Sequence, residues 1–181
     1  MINVLRPQSV SQVRDLASAI HSSTNHKYDG KPYLTHLDMV YSSCVKYIDL
    51  LPDDKDFRED VMAACYCHDL IEDCRQTYGD VFRKFSPEIA DLVFAVTNEK
   101  GKIRRQRESD KYFADMKLIP GAVFLKICDR LANVKYSVEE NKPQAKMYVK
   151  EMDRFIEKVY TKEYQPMIDE LLGYKNQFLF K

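Results

Sequence analysis

The chain has 181 residues, long enough for one domain with a substantial core. Hydrophobic residues make up 45% and charged residues 31%, the balance of a soluble globular protein and not of a disordered one. Lys plus Arg and Asp plus Glu both number 28, so a net charge of zero gives no general attraction to nucleic acid or membrane surfaces.

No apolar run approaches the roughly 20 residues that a membrane span needs. Met1 to Val10 lacks the basic-then-apolar layout of a signal peptide, so the expected location is the cytoplasm. Five cysteines (Cys44, Cys65, Cys67, Cys74, Cys128) are an odd number with no paired spacing, which fits free, buried thiols in a reducing compartment. Cys65 and Cys67 stand two apart on an expected helix. They point to different sides and could not share one metal ion.

Taken in chain order, the apolar residues keep helical spacing. A first helix follows Pro7 and Ser9, with Val10, Val13, Leu16, Ala17 and Ile20 on one face. A second runs from about Thr35 through Leu37, Val40, Tyr41, Cys44, Val45 and Ile48, and stops before Pro52-Asp53-Asp54. A third is expected over about Asp56 to Glu72. Ser86-Pro87-Glu88 starts another: serine caps free N–H groups, proline suits the first turn, and glutamate favours the positive end of the dipole. Further helices are expected from about Pro120 and Pro143, and over Pro166 to Leu172 with Gly173 as its stop. No stretch shows sustained strand alternation, so the expected fold is an all-α, single-domain helical bundle spanning residues 1–181.

Polar residues interrupt this pattern where it predicts core. His68 and Asp69 follow the apolar run Ala63 to Cys67, with Glu72 and Asp73 one helical turn further on. Three carboxylates so close repel one another unless a cation or a proton compensates. Asp129 likewise breaks the apolar stretch Phe124 to Leu131, and a buried aspartate is costly unless paired or bound to metal. Each residue has an ordinary reading: His36 as a helix-start residue, Asp129 paired with Arg130 or Lys126, Glu72 and Asp73 as a solvated helix end.

Together they form a recognisable pattern. A histidine, then His-Asp, then an aspartate, each in a separate helix, resembles the HD superfamily of metal-dependent phosphohydrolases. HKYDGKPYLTHLDMV (residues 26–40), CHDLIEDC (67–74), VTNEKG (96–101) and LKICDRLANVK (125–135) come in the family's order. Locally they are similar to the branch of RelA/SpoT-type small alarmone hydrolases, over roughly Ser9 to Tyr160. The resemblance implies an HD-type bundle with a central site in which His36, His68, Asp69 and Asp129 bind Mn²⁺ or another divalent metal ion. It makes Glu72 and Asp73 the catalytic acids that orient and deprotonate water. Lys27, Lys100, Asn133 and Tyr148 become contacts to a small-molecule nucleotide.

The implied reaction is release of 3′-pyrophosphate from ppGpp-like alarmones. The chain departs from the branch at Tyr28, where a second basic residue is usual. An HD-type nucleotidase or phosphodiesterase acting on another, cyclic or signalling, nucleotide therefore stands as the alternative, and a metal-retaining binding module as a third. The basic stretch Lys100, Lys102, Arg104, Arg105 and Arg107 reads either as a solvated loop or as a phosphate funnel. It lacks interleaved aromatic residues, so nucleic-acid partners are not expected. A homo-oligomer is compatible with the sequence.

Overall fold

The computed structural model describes residues 9–101 and 103–180. Lys102 and the side chains of Arg104 and Arg105, expected in the basic stretch, lie outside the described residues. Among the described residues the fold is all-helical apart from one small hairpin. In order the elements are α1 (Val10–Ser23), β1 (Lys27–Tyr28), β2 (Lys31–Pro32), α2 (Leu34–Tyr47), α3 (Lys55–Cys67), α4 (Leu70–Asp73), α5 (Tyr78–Lys84) and α6 (Pro87–Val96). Then come α7 (Arg104–Arg107), α8 (Asp110–Met116), α9 (Ala122–Glu139), α10 (Gln144–Val159) and α11 (Gln165–Leu179).

The starts of several helices follow from local chemistry. Ser9, Asp54, Thr77, Ser86 and Ser109 each accept a backbone N–H from their own first turn. Thr77 and Asp80 bond reciprocally as a capping box. α9 starts differently, at Gly121 with φ +83°. A Cβ there would come within 2.9 Å of Val61 and 3.1 Å of Phe57, so only glycine lets the start of α9 sit this close to α3.

α9 is the axis of the bundle. It packs against α2, α3, α6, α10 and α11, and is buried along most of its length, from Ala122 through Val138. Each large apolar side chain placed there contributes about 1.5–3 kcal/mol. α11 closes the far side with Met167, Ile168 and Leu171 buried. It is tied to α2 by Glu170, which accepts from Tyr47 Oη (2.5 Å) and pairs with Lys46 Nζ (2.9 Å).

Three expectations need correction. The helix expected over Asp56 to Glu72 is two helices: α3 ends at Cys67 and Asp69 caps α4 with φ −99° and ψ 3°, outside helical geometry. The break turns the His68-Asp69 pair toward the bundle axis. Residues 27–32 form an antiparallel hairpin, with Lys27 opposite Pro32 and Tyr28 opposite Lys31. Its turn, Asp29-Gly30, holds both residues at positive φ (51° and 78°), the requirement that Asp-Gly satisfies. Finally, Gly173 does not stop the last helix. α11 runs on to Leu179, because packing of Leu171, Leu172, Tyr174 and Phe178 outweighs one glycine's helical penalty of about 1 kcal/mol.

Candidate metal centre

Three helices bring four donor side chains together. His36 lies in the first turn of α2, His68 and Asp69 at the α3–α4 break, and Asp129 at the middle of α9. Nε2 of His36 is 3.3 Å from Nε2 of His68 and 3.4 Å from Oδ1 of Asp129. Nε2 of His68 is 2.9 Å from Oδ2 of Asp69 and 3.8 Å from Asp129 Oδ1. Oδ2 of Asp69 also lies 3.7 Å from His36 Nε2.

The surroundings fix how these groups face. His68 Nδ1 donates to the Cys65 carbonyl (2.9 Å), which aims Nε2 into the cluster, as is usual for a metal-binding imidazole. Tyr33 Oη donates to Asp69 Oδ2. Asn133 Nδ2 donates to Asp129 Oδ1 (2.6 Å), and Asn133 Oδ1 accepts from Tyr28 Oη (3.1 Å). The Tyr28 ring stacks on His36 at 4.9 Å.

The charges are strongly coupled. Burial acts to raise the carboxyl pKa of Asp69, but the adjacent His68 holds it well below its ordinary range. For Asp129 burial is outweighed by Lys126 and by the two imidazoles, again downward. For His68 burial opposes the charge, yet Asp69 and Asp129 push it up to about 9. A proton on His68 and a divalent ion would compete for the same two carboxylates. Two imidazole nitrogens 3.3 Å apart, each 2.9–3.8 Å from both carboxylates, suit a borderline divalent cation. The donor set fits.

The other expected residues fall into three groups. Asn133 joins the cluster, on the same face of α9 as Asp129. Asp73 is one turn from Asp69, its N–H bonded to the Asp69 carbonyl (2.9 Å). Its carboxyl is raised to about 7, first by burial and then by the charges of Asp69 and Glu72. Glu72 instead turns to the segment after α6, accepting from Asn98 N (3.3 Å) and Asn98 Nδ2 (3.0 Å). Lys27 is exposed on the hairpin. Lys100 lines a separate cleft with Phe94, Asn98 and Lys111 that none of the four donors lines. Tyr148 packs its ring 5.3 Å from the Arg130 guanidinium.

Of the two partners expected for Asp129, Lys126 takes the place, while two tyrosines beside the site went unrecognised from sequence. Lys126 is buried, with Nζ 3.4 Å from Asp129 Oδ2 and 3.5 Å from the Val96 carbonyl. Its i, i+3 spacing to Asp129 was the available signal. Arg130, the rival partner, turns to Glu108 (3.4 Å) and packs on Phe155. Tyr33 and Tyr28 were visible only as motif letters, because stacking and hydroxyl contacts carry no sequence spacing.

A model of the HD domain matches residues 14–162. The chain belongs to the HD domain family. It is 28% identical over 132 residues to a guanosine-3′,5′-bis(diphosphate) 3′-pyrophosphohydrolase of Aquifex aeolicus (strain VF5), covering 71% of this chain and 18% of that protein. It is 30% identical over 77 residues to the guanosine-3′,5′-bis(diphosphate) 3′-pyrophosphohydrolase MESH1 of Drosophila melanogaster, covering 42% of this chain and 43% of that one. The chain therefore spans less than half the length of these curated relatives. A solved structure, described as a metazoan ortholog of SpoT that hydrolyzes ppGpp and plays a role in starvation responses, superposes with a TM-score of 0.69. It covers 94% of this chain and 97% of its own at 18% identity, a likeness of fold. Among the described residues no helix is long and apolar enough to cross a membrane.

Proposed function

We propose that this chain is a metal-dependent phosphohydrolase that releases pyrophosphate from the 3′ position of guanosine tetra- or pentaphosphate. The observation that carries the reading is the convergence of His36, His68, Asp69 and Asp129 from three helices, in a chain whose curated relatives are named for that reaction. These four residues would hold the ion, Mn²⁺ by the chemistry of the donors. When bound, such an ion lowers the pKa of water and offsets phosphate charge.

The chain's own residues supply the rest. Asp73, titrating near neutrality, accepts the proton of the attacking water as the new P–O bond forms. The bond to the 3′ oxygen breaks, leaving GDP or GTP and pyrophosphate. Glu72 fixes the segment at Asn98 beside the reaction. Asn133 orients Asp129 and keeps one carbonyl lone pair for sugar or base, and Lys27 meets a phosphate. Tyr148 borders Tyr28, and Lys100 would reach the substrate only from its neighbouring cleft. The site is assigned to a single domain in the cytoplasm.

One observation favours a second reading. Tyr28 lies across His36 and bonds Asn133, so it covers a side of the site where a second basic residue was expected. This arrangement suits an HD-type nucleotidase or phosphodiesterase acting on a less charged nucleotide. The test is incubation of pure protein and Mn²⁺ with guanosine tetraphosphate, following GDP and pyrophosphate, beside a panel of nucleoside monophosphates and cyclic nucleotides. Tetraphosphate turnover absent from Asp69→Asn supports the first reading. Turnover confined to the panel supports the second, and metal retention with no turnover at all overturns both.

A further inference from the structure

A second cluster of metal-type side chains lies behind Tyr33, outside the HD donors. His21 ends α1, His26 precedes the hairpin, and Cys74 follows α4. His21 Nδ1 is 3.0 Å from Cys74 Sγ and 3.1 Å from His26 Nδ1, and the three donor atoms all lie within 4.8 Å of one another. His21 and Cys74 are buried. Tyr33 divides the two clusters: its ring stacks on His26 at 3.8 Å and on His21 at 4.5 Å, while its hydroxyl serves Asp69.

Hydrogen bonding does not account for this packing. One ring nitrogen carries either one proton or one lone pair in its plane, so His21 Nδ1 can make only one full hydrogen bond of its two close contacts. The other nitrogen of that ring, Nε2, is buried with no hydrogen-bond partner. Nδ1 is thus the engaged nitrogen of the ring, and it stands between two donor atoms that it cannot both satisfy by hydrogen bonding.

We propose that His21, His26 and Cys74 form a second metal site, for a zinc-type divalent ion held by two Nδ1 atoms and one thiolate. Zn–N bonds of about 2.0–2.1 Å and a Zn–S bond of about 2.3 Å, arranged tetrahedrally, need donor separations of roughly 3.3–3.6 Å. His21 Nδ1 stands a few tenths of an ångström closer than this to each of its two neighbours, within the reach of small side-chain shifts. Supporting groups are also in place. Nε2 of His26 faces Asp73 Oδ2 at 3.7 Å, the carboxylate–histidine arrangement that orients ligating imidazoles. Thr24 Oγ1, which donates to the His21 carbonyl (3.0 Å), lies 3.7 Å from Cys74 Sγ. Binding converts the Cys74 thiol to a thiolate and releases its proton to solvent.

Sulfur distinguishes this site from the HD centre, which has only nitrogen and oxygen donors. Metal-depleted full-length protein titrated with Co²⁺ should develop a thiolate-to-cobalt charge-transfer band in the near ultraviolet. Cys74→Ser and His26→Gln should each abolish the band. Zinc analysis after desalting should give about two ions per wild-type chain and about one in either variant, with far-ultraviolet circular dichroism unchanged. His26 is only half-buried, so His26→Gln decides the matter should Cys74→Ser fail to fold. Absence of the band in the wild type, or its survival in His26→Gln, overturns the proposal.

Discussion

Replacing Lys126 by methionine tests whether the centre is built to carry a cation. The ammonium is nearly buried, 3.4 Å from Asp129 Oδ2, and Tyr112 and Asp129 hold it charged against the cost of burial. Unit charges at that distance attract by about 5 kcal/mol at an effective dielectric constant of about 20. Methionine fills similar volume and removes the lysine's own desolvation cost, so the net loss in metal-free protein should be about 3 kcal/mol. For a chain of this size, each kcal/mol lowers Tm by about 2–4 °C, which gives a fall of about 6–12 °C in EDTA. Saturating Mn²⁺ supplies positive charge at Oδ1 and should shrink the fall to half or less. Paired thermal melts of wild type and Lys126→Met, with and without metal, measure both quantities. An equal fall in both buffers, or one below about 2 °C in EDTA, would refute the reasoning.

The remaining predictions probe separate parts of the molecule. Asp73→Asn should keep its Mn²⁺ and lose about 10²–10⁴ in kcat, since it removes a proton acceptor; undiminished initial rates would take Asp73 out of the reaction. Glu72→Gln should lose less, because glutamine retains a contact to Asn98; the two variants are compared in one assay at matched metal content. Gly173→Ala should stabilise by about 0.5–1 kcal/mol in urea melts, as its Cβ meets open space and the helix continues through it. Glu170 is held below its ordinary pKa: burial opposes this, while Tyr47 and Lys46 outweigh it. Its stabilisation is therefore present above the unfolded value of about 4.3 and is lost as pH falls through the lower folded value. The stability gap between wild type and Glu170→Gln should close over that acid range, and a gap independent of pH would exclude the ion pair as its source.

Much of the bundle was readable from the chain because its signals are local. Ser86-Pro87-Glu88 carries cap, first-turn proline and dipole charge in three consecutive residues, and α6 begins there. The misreadings arose where tertiary contacts overrode local preference. Gly173 has the chemistry of a stop, but its neighbours bury too much apolar surface for the helix to end. Periodicity likewise runs through residues 56–72 without interruption, since apolar spacing is indifferent to one residue leaving helical geometry. Asp69 leaves it because the bundle axis is where its charge finds His68 and Tyr33.

The same distinction explains the site. His68, Asp69 and Asp129 are conspicuous because charge and imidazole are costly in a core, and the cost shows in sequence as a broken apolar pattern; His36 stands out only through the order of the motifs. Their supports are not conspicuous. Tyr33 and Tyr28 each look ordinary in their own segment, and each acquires a role only when another helix arrives. Tyr33 is the clearest case: one face of its ring stacks on His26, and its hydroxyl holds Asp69. Any change that moves His26 must therefore displace a residue that orients a donor of the main centre. Substituting Tyr33 by phenylalanine separates the two functions, since it keeps the ring and deletes only the hydroxyl. Metal affinity at the HD donors should fall about 10–100-fold, the usual effect of removing a group that orients a ligand. The cobalt–thiolate band at Cys74 should persist, and its loss together with the HD metal would show that the hydroxyl, and not the ring, holds both clusters in place.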